Sequence, residues 1–214
     1  MNLCQHSRLH MSAPTFVSDV GKVLIDFDFS PAARRLAEKC PHPEEIVLAL
    51  FDGIKVPYEN GQMDDQEFVR EGMRLTSFAG TAEEFITIWC EIFSENLLMK
   101  KSLTAIAGKV PMYLLSNTSG LHKDYFWRTY GIFECFADGV YSHQARCSKP
   151  GEEIFRLTIE KFGLDPLRTF YVDDLMPNIE TASRLGFRTF HYSFAKHSEF
   201  EQALAEWRVE QGIG

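Results

Sequence analysis

No stretch of this 214-residue chain holds about 18 uninterrupted apolar residues, the length a membrane-spanning helix needs, so no membrane association is expected. Residues 1–14 (MNLCQHSRLHMSAP) also lack the apolar run of roughly 7–15 residues that a secretory signal requires; they read as a flexible leader, with Met11 as an alternative start. Cysteine is sparse. The five (Cys4, Cys40, Cys90, Cys135 and Cys147) are odd in number and form no Cys-x-x-Cys pair, which argues against a disulfide framework and for reduced thiols in the cytoplasm. Positive charge is scarce as well, with 22 Lys and Arg against 30 Asp and Glu and a net charge of −8. No basic cluster can track a phosphate backbone, so nucleic acid is excluded as a partner, and any small anionic substrate has to meet positive charge locally. Internal repeats, low-complexity tracts and long linkers are absent too.

The chain does have 45% hydrophobic residues with 18 phenylalanines, enough for one full α/β domain and a smaller module. Short apolar runs ending in turn residues predict strands over Thr15–Val20, Pro111–Leu115, Val140–Tyr141, Thr169–Val172 and Arg188–Tyr192. Helical patterns separate the later ones, over Leu121–Tyr130, Glu152–Phe162 and Pro177–Leu185. Such alternation predicts a Rossmann-like, doubly wound parallel sheet, which binds ligands beyond the carboxyl ends of its strands. From Ser30 to about Leu98 the pattern is helical with no convincing strand. Ser30-Pro31 reads as an N-cap with proline at N1, helices follow over Pro43–Phe51, Asp64–Thr76 and Thr81–Phe93, and Val56–Gly61 reads as a connector. The expected layout is a core of 15–30 and 98–214 with a helical cap of 31–97 over its active edge.

Four strings at strand ends carry chemistry. Asp19 follows the first strand, and a carboxylate there is able to attack phosphorus and split hydrolysis into two displacements. Gly21, two residues on, suits a sharp turn beside a ligand. Ser116-Asn117 ends the next long strand, offering a hydroxyl, an amide and backbone N–H groups to phosphate oxygens. Lys149, before Pro150-Gly151, is the cation for the transferring group. Asp173-Asp174 end a buried strand, and adjacent buried acids are costly without a cation. Mg²⁺, which keeps several waters and needs few protein oxygens, fits Asp19, the Gly21 carbonyl and Asp174, with Asp173 beside them. A competing strand-then-acid pattern runs through Asp26, Asp28 and Ser30. Asp19 is preferred because a helix opening at Ser30 leaves no loop to fold over a phosphate, whereas residues 21–29 supply one.

Asp19-Val20-Gly21-Lys22-Val23-Leu24-Ile25-Asp26-Phe27-Asp28, Leu115-Ser116-Asn117-Thr118, Tyr141-Ser142 with Lys149-Pro150, and Val172-Asp173-Asp174 with Asn178 together resemble the haloacid dehalogenase (HAD) superfamily. The branch most similar has a helical cap after the first motif and includes bacterial alpha-glucose-1-phosphatase and other sugar phosphatases. The resemblance implies a Mg²⁺-dependent phosphomonoester hydrolase acting on a small phosphorylated metabolite through an aspartyl phosphate. Three departures stand out. Gly21 replaces the second aspartate that serves many relatives as general acid, so slow turnover of alkyl phosphates is expected unless a cap residue or His122 supplies the proton. Arg146 stands where relatives often have glycine, and Ser18 replaces an apolar residue before the nucleophile. The same fold also serves metal-independent 2-haloacid dehalogenases, and without its acid it suits a non-catalytic phosphate binder. Cap residues around Val56–Gln62 are expected to choose the substrate, and Phe51, Tyr58 and Trp89 to be core.

Overall fold

The computed structural model describes residues 13–214; most of the expected leader therefore lies outside the described residues. Five parallel strands form the central sheet: β1 (Thr15–Ser18), β4 (Met112–Ser116), β5 (Asp138–Tyr141), β6 (Thr169–Asp173) and β7 (Arg188–His191), in the order β5-β4-β1-β6-β7. Strand alternation decides which layer each side chain joins. Phe16, Leu114 and Phe170 pack on one face with Met99 and Leu103 of α6 (Leu97–Thr104), Phe126 of α7 (Gly120–Thr129), and Phe200 and Trp207 of α11 (His197–Gln211). Their neighbours Val17, Leu115 and Tyr171 pack on the other face, with Ile154 and Phe155 of α9 (Glu152–Phe162) and Ile179 and Ala182 of α10 (Met176–Arg184). The expected doubly wound α/β sheet is present. Among the described residues, no helix is long and apolar enough to cross a membrane, and Cys40, Cys90, Cys135 and Cys147 are free thiols.

Between β1 and β4 the chain enters a helical insertion: α1 (Ser30–Ala37), α2 (Glu44–Val47), a 3₁₀ turn (Leu48–Phe51), α3 (Asp52–Glu59), α4 (Asp65–Thr76) and α5 (Ala82–Cys90). Phe51, Tyr58, Phe68, Phe85 and Trp89 give it a core of its own, with Tyr58 stacked 4.1 Å from Phe68. Capping boxes at Asp64/Glu67 and Thr81/Glu84 start α4 and α5.

Three local expectations need correction. A strand does exist in the helical stretch: β3 (Phe93–Glu95) pairs antiparallel with β2 (Ile25–Phe27), forming a two-stranded stem where the chain enters and leaves the insertion. Ser30 is inside α1 rather than its cap, because the Asp28 carboxylate takes the Ser30 N–H. Val56–Glu59 is helical, with Pro57 inside α3 forgoing one backbone bond; the helix ends only where Gly61 takes a left-handed conformation (φ 68°).

Candidate active site

β1 is central, flanked by β4 and β6, so Asp19, Ser116 and Asp173 emerge at three adjacent carboxyl ends. Asp19 is pinned there by its N–H bond to the Val172 carbonyl (2.9 Å). The unusual Ser18 contributes to this placement, since its buried hydroxyl donates to the Asp19 carbonyl at 2.6 Å. The Lys149 ammonium reaches across the loop before α9 to lie 2.7 Å from Asp19 Oδ1 and 2.7 Å from Asp173 Oδ2. All three side chains are buried.

The two acids of the Asp173-Asp174 pair are not equivalent. Asp173 is fully buried, and four donors occupy its oxygens: the Leu175 N–H and Asn178 amide at Oδ1, and Lys149 and the Tyr171 hydroxyl at Oδ2. A carboxylate has about four lone-pair sites, and each of these donors takes one. Asp173 thereby orients Lys149 and the loop beside the other two carboxylates. Burial raises its pKa, but Lys149 and these donors outweigh that and pull it below the usual carboxylate range. Asp174 is only partly buried and is pushed up, by burial and by the charge of Asp173. Asp19 is likewise pushed up, to about 7, by burial against the opposing pull of Lys149, with the Asp173 charge adding to the rise.

Ligand oxygens of Asp19, Asp173 and Asp174 lie within 4.8 Å of one another. One lysine among three carboxylates leaves surplus negative charge in a buried site, which is the environment a hard divalent cation balances. The donor set therefore fits Mg²⁺.

Ser116 is buried at the end of β4, and its hydroxyl makes no hydrogen bond among the described residues. Asn117 lies in the wall of the opening that Asp19 and Lys149 also line. Its amide donates to the Lys149 carbonyl and accepts from the Lys149 N–H, both at 2.9 Å, so the side chain holds the lysine's backbone in place. Ser142 links the next loop: its hydroxyl accepts from the Thr118 N–H (3.0 Å) and donates to the Glu59 carbonyl (2.6 Å) of α3. Arg146 sits at a left-handed φ of 56° after α8 (Ser142–Ala145), a conformation that glycine adopts without strain.

The competing acids do not join this group. Asp26 pairs with Lys22 and takes the Phe27 N–H, and Asp28 takes the Ser30 N–H at the start of α1. The left-handed residue of the turn is Lys22 (φ 56°), not Gly21. A Cβ at Gly21 would lie 3.2 Å from the Phe27 ring, a tight contact that the ring would have to relieve by a few tenths of an ångström.

Two neighbouring spaces open here. A mouth of about 230 Å³ includes Asp19, Lys149, Asp174 and Asn178 in its wall. An inner cavity of about 100 Å³ is lined by Ser116, Thr118, Phe29, His122 and, from α3, Lys55 and Glu59. Gly21, Phe27 and Asn117 belong to both walls.

His122 fails as the substitute acid. It stacks on Trp89 (5.7 Å between centroids, 9° between planes), bonds the Trp89 carbonyl through Nε2 at 3.1 Å, and burial pushes its pKa down to about 4. It is neutral at pH 7, and its Nε2–H is already committed. A group depressed from 6.5 to about 4 contributes stability that is fully present above 6.5 and is lost as pH falls toward 4. His122→Gln is expected to flatten unfolding free energy against pH in that window by about 3 kcal/mol, as read by urea titrations. An unchanged slope would show that His122 protonates freely in the fold.

Comparison with known proteins gives the class. A haloacid dehalogenase-like hydrolase model matches residues 14–186, most of the chain. The protein belongs to that family and is a HAD-like hydrolase. A HAD family enzyme of Bacteroides thetaiotaomicron superposes with a TM-score of 0.75 at 24% identity, covering 87% of this chain and 98% of the other. The same enzyme in complex with magnesium and inorganic phosphate superposes at 0.73 with 23% identity, covering 84% and 93%. The L-2-haloacid dehalogenase of Xanthobacter autotrophicus, with chloropropionic acid covalently bound, gives 0.59 at 15% identity, covering 95% and 85%. At these identities the likeness is one of fold.

Proposed function

We infer that this hydrolase is a Mg²⁺-dependent phosphomonoesterase acting on a small phosphorylated metabolite, a sugar phosphate among the candidates, in the cytoplasm. The observation that carries this is the division of labour among the three carboxylates: Asp173 is consumed by Lys149, Tyr171, Leu175 and Asn178, while Asp19 and Asp174 remain without enough positive charge. Asp19, Asp174 and the Gly21 carbonyl would hold the ion, which supplies charge balance for the phosphoryl oxygens. The Asp19 carboxylate attacks phosphorus, Lys149 neutralises charge on nucleophile and phosphoryl group, and the Ser116 hydroxyl and the N–H groups after it hold phosphate oxygens. Water then releases phosphate from Asp19. Residues 31–97 act as the cap over a core of 15–30 and 98–214, and α3 with the turn to Gln62 presents side chains that select the leaving group. The magnesium and phosphate bound by the Bacteroides enzyme support this over a dehalogenase, which needs neither a metal nor the unbalanced Asp174.

A panel of phosphorylated metabolites and 2-haloacids, each assayed with Mg²⁺ and with EDTA, tests it. Phosphate release that EDTA abolishes is the expected result. Halide release unaffected by EDTA would make the protein a dehalogenase, and calorimetric binding of a sugar phosphate without turnover would make it a sensor.

A further inference from the structure

Resting on the phosphatase reading, we propose that Glu59 of α3 is the general acid that replaces the carboxyl group missing at position 21. The leaving oxygen departs opposite the Asp19 oxygen that attacks, and so needs a proton from elsewhere than the floor of the site. Position 21 carries none, and a Cβ there would press on the Phe27 ring at 3.2 Å. The inner cavity begins at this same wall, shared through Gly21, Phe27 and Asn117 with the mouth that holds Asp19. Its lining is mostly aromatic, aliphatic and hydroxyl-bearing, with three ionisable groups: Lys55, Glu59 and His122. Lys55 is a cation resting 4.7 Å from the Phe29 ring centre, and His122 is neutral with its Nε2 bonded to a carbonyl. Glu59 is the remaining acid.

Two further features suit it. Its backbone carbonyl is fastened to Ser142, which also takes the Thr118 N–H, so α3 is tied to the loop that follows Ser116. Its carboxyl group makes no hydrogen bond or ion pair among the described residues, and burial raises its pKa, with Lys55 opposing. Of the elements against α3, α4 brings Asp65, bonded to the Tyr58 hydroxyl, and α8 brings His143, bonded to the Thr118 carbonyl; neither lines the cavity. In the first displacement the Asp19 oxygen forms a bond to phosphorus while the P–OR bond breaks, its electron pair staying on the leaving oxygen, which takes the Glu59 proton to leave as ROH. In the second, water attacks phosphorus, its proton passes to the Glu59 carboxylate, and the bond from Asp19 to phosphorus breaks.

Glu59→Gln, assayed with ethyl phosphate, phenyl phosphate and p-nitrophenyl phosphate in Mg²⁺, separates the outcomes. Loss of a general acid costs roughly 10²–10⁴-fold where the leaving group is poor, so kcat for ethyl phosphate should fall by that factor, with a much shallower fall for p-nitrophenyl phosphate. The rate with ethyl phosphate in the unmodified enzyme should also decline as pH rises through the Glu59 pKa, and p-nitrophenyl phosphate should lack that limb. This second measurement needs no variant and stands even if Glu59→Gln fails to fold. Equal losses across the three esters, or no alkaline limb with ethyl phosphate, would overturn Glu59 as the acid while leaving the phosphatase intact. An unmodified enzyme inert toward p-nitrophenyl phosphate in Mg²⁺ would take down both.

Discussion

Asp19→Asn is expected to lower phosphate release by roughly 10⁴–10⁶-fold, the scale on which single members of a nucleophile set matter, without lowering stability. The amide keeps the shape of the side chain but has no charge with which to attack phosphorus. Stability should hold because burial already pushes the Asp19 carboxyl up to about 7, so its charge is a cost to the ion-free fold that a neutral amide does not incur. Lys149 keeps Asp173 as its partner in the variant. Paired with Asp28→Asn, the comparison decides which carboxylate reacts, since Asp28 accepts the Ser30 N–H at the start of α1 and lies outside the three-carboxylate group. Loss of activity in Asp28→Asn alone would mean that the nucleophile is Asp28 and that the site is built around the wrong acid.

The sheet is readable in sequence because burial on both faces forces compact apolar runs such as Thr15–Ser18 and Thr169–Asp173, each ending in an acid or hydroxyl. β3 was not readable: Phe93–Glu95 is three residues long, and its partner β2 lies some 70 positions earlier, so nothing local marks it. Pro57 misled for the opposite reason, since a local breaker was overruled by Tyr58, which packs on Phe68 and fixes α3 in the insertion's core. At the site, Asp19, Lys149 and the Asp173-Asp174 pair, singled out by residue type, lie together in the fold, with Lys149 on the loop before α9 rather than at a strand end. Which atoms face which was beyond reach. That Asn117 and Asp173 both hold Lys149 is written in no local pattern, because their partners lie dozens of positions away. Glu59 falls in the Val56–Gln62 stretch expected to choose the substrate, but nothing in the sequence singles it out from the acids around it until the fold puts it in the cavity wall.

Lys149→Met should be the most destabilising single change at the site, costing about 3–5 kcal/mol in urea unfolding without metal, because it strands two buried carboxylates whose shared counter-ion is gone. The two acids will respond unequally. Asp173 retains the Tyr171 hydroxyl, the Leu175 N–H and the Asn178 amide, so it stays the better accommodated charge. Asp19 has no comparable set and relieves the strain by taking up a proton, which also removes the nucleophile. Catalysis is therefore lost through Asp19 as well as through the missing cation, and Mg²⁺ should recover part of the stability but not the rate. Lys149→Arg is no remedy, since a planar guanidinium does not fit where a compact ammonium sits 2.7 Å from both acids. A Lys149→Met variant as stable as the unmodified protein in EDTA would show that the carboxylates are not charged together in the fold, and the case for a divalent ion between Asp19 and Asp174 would go with them.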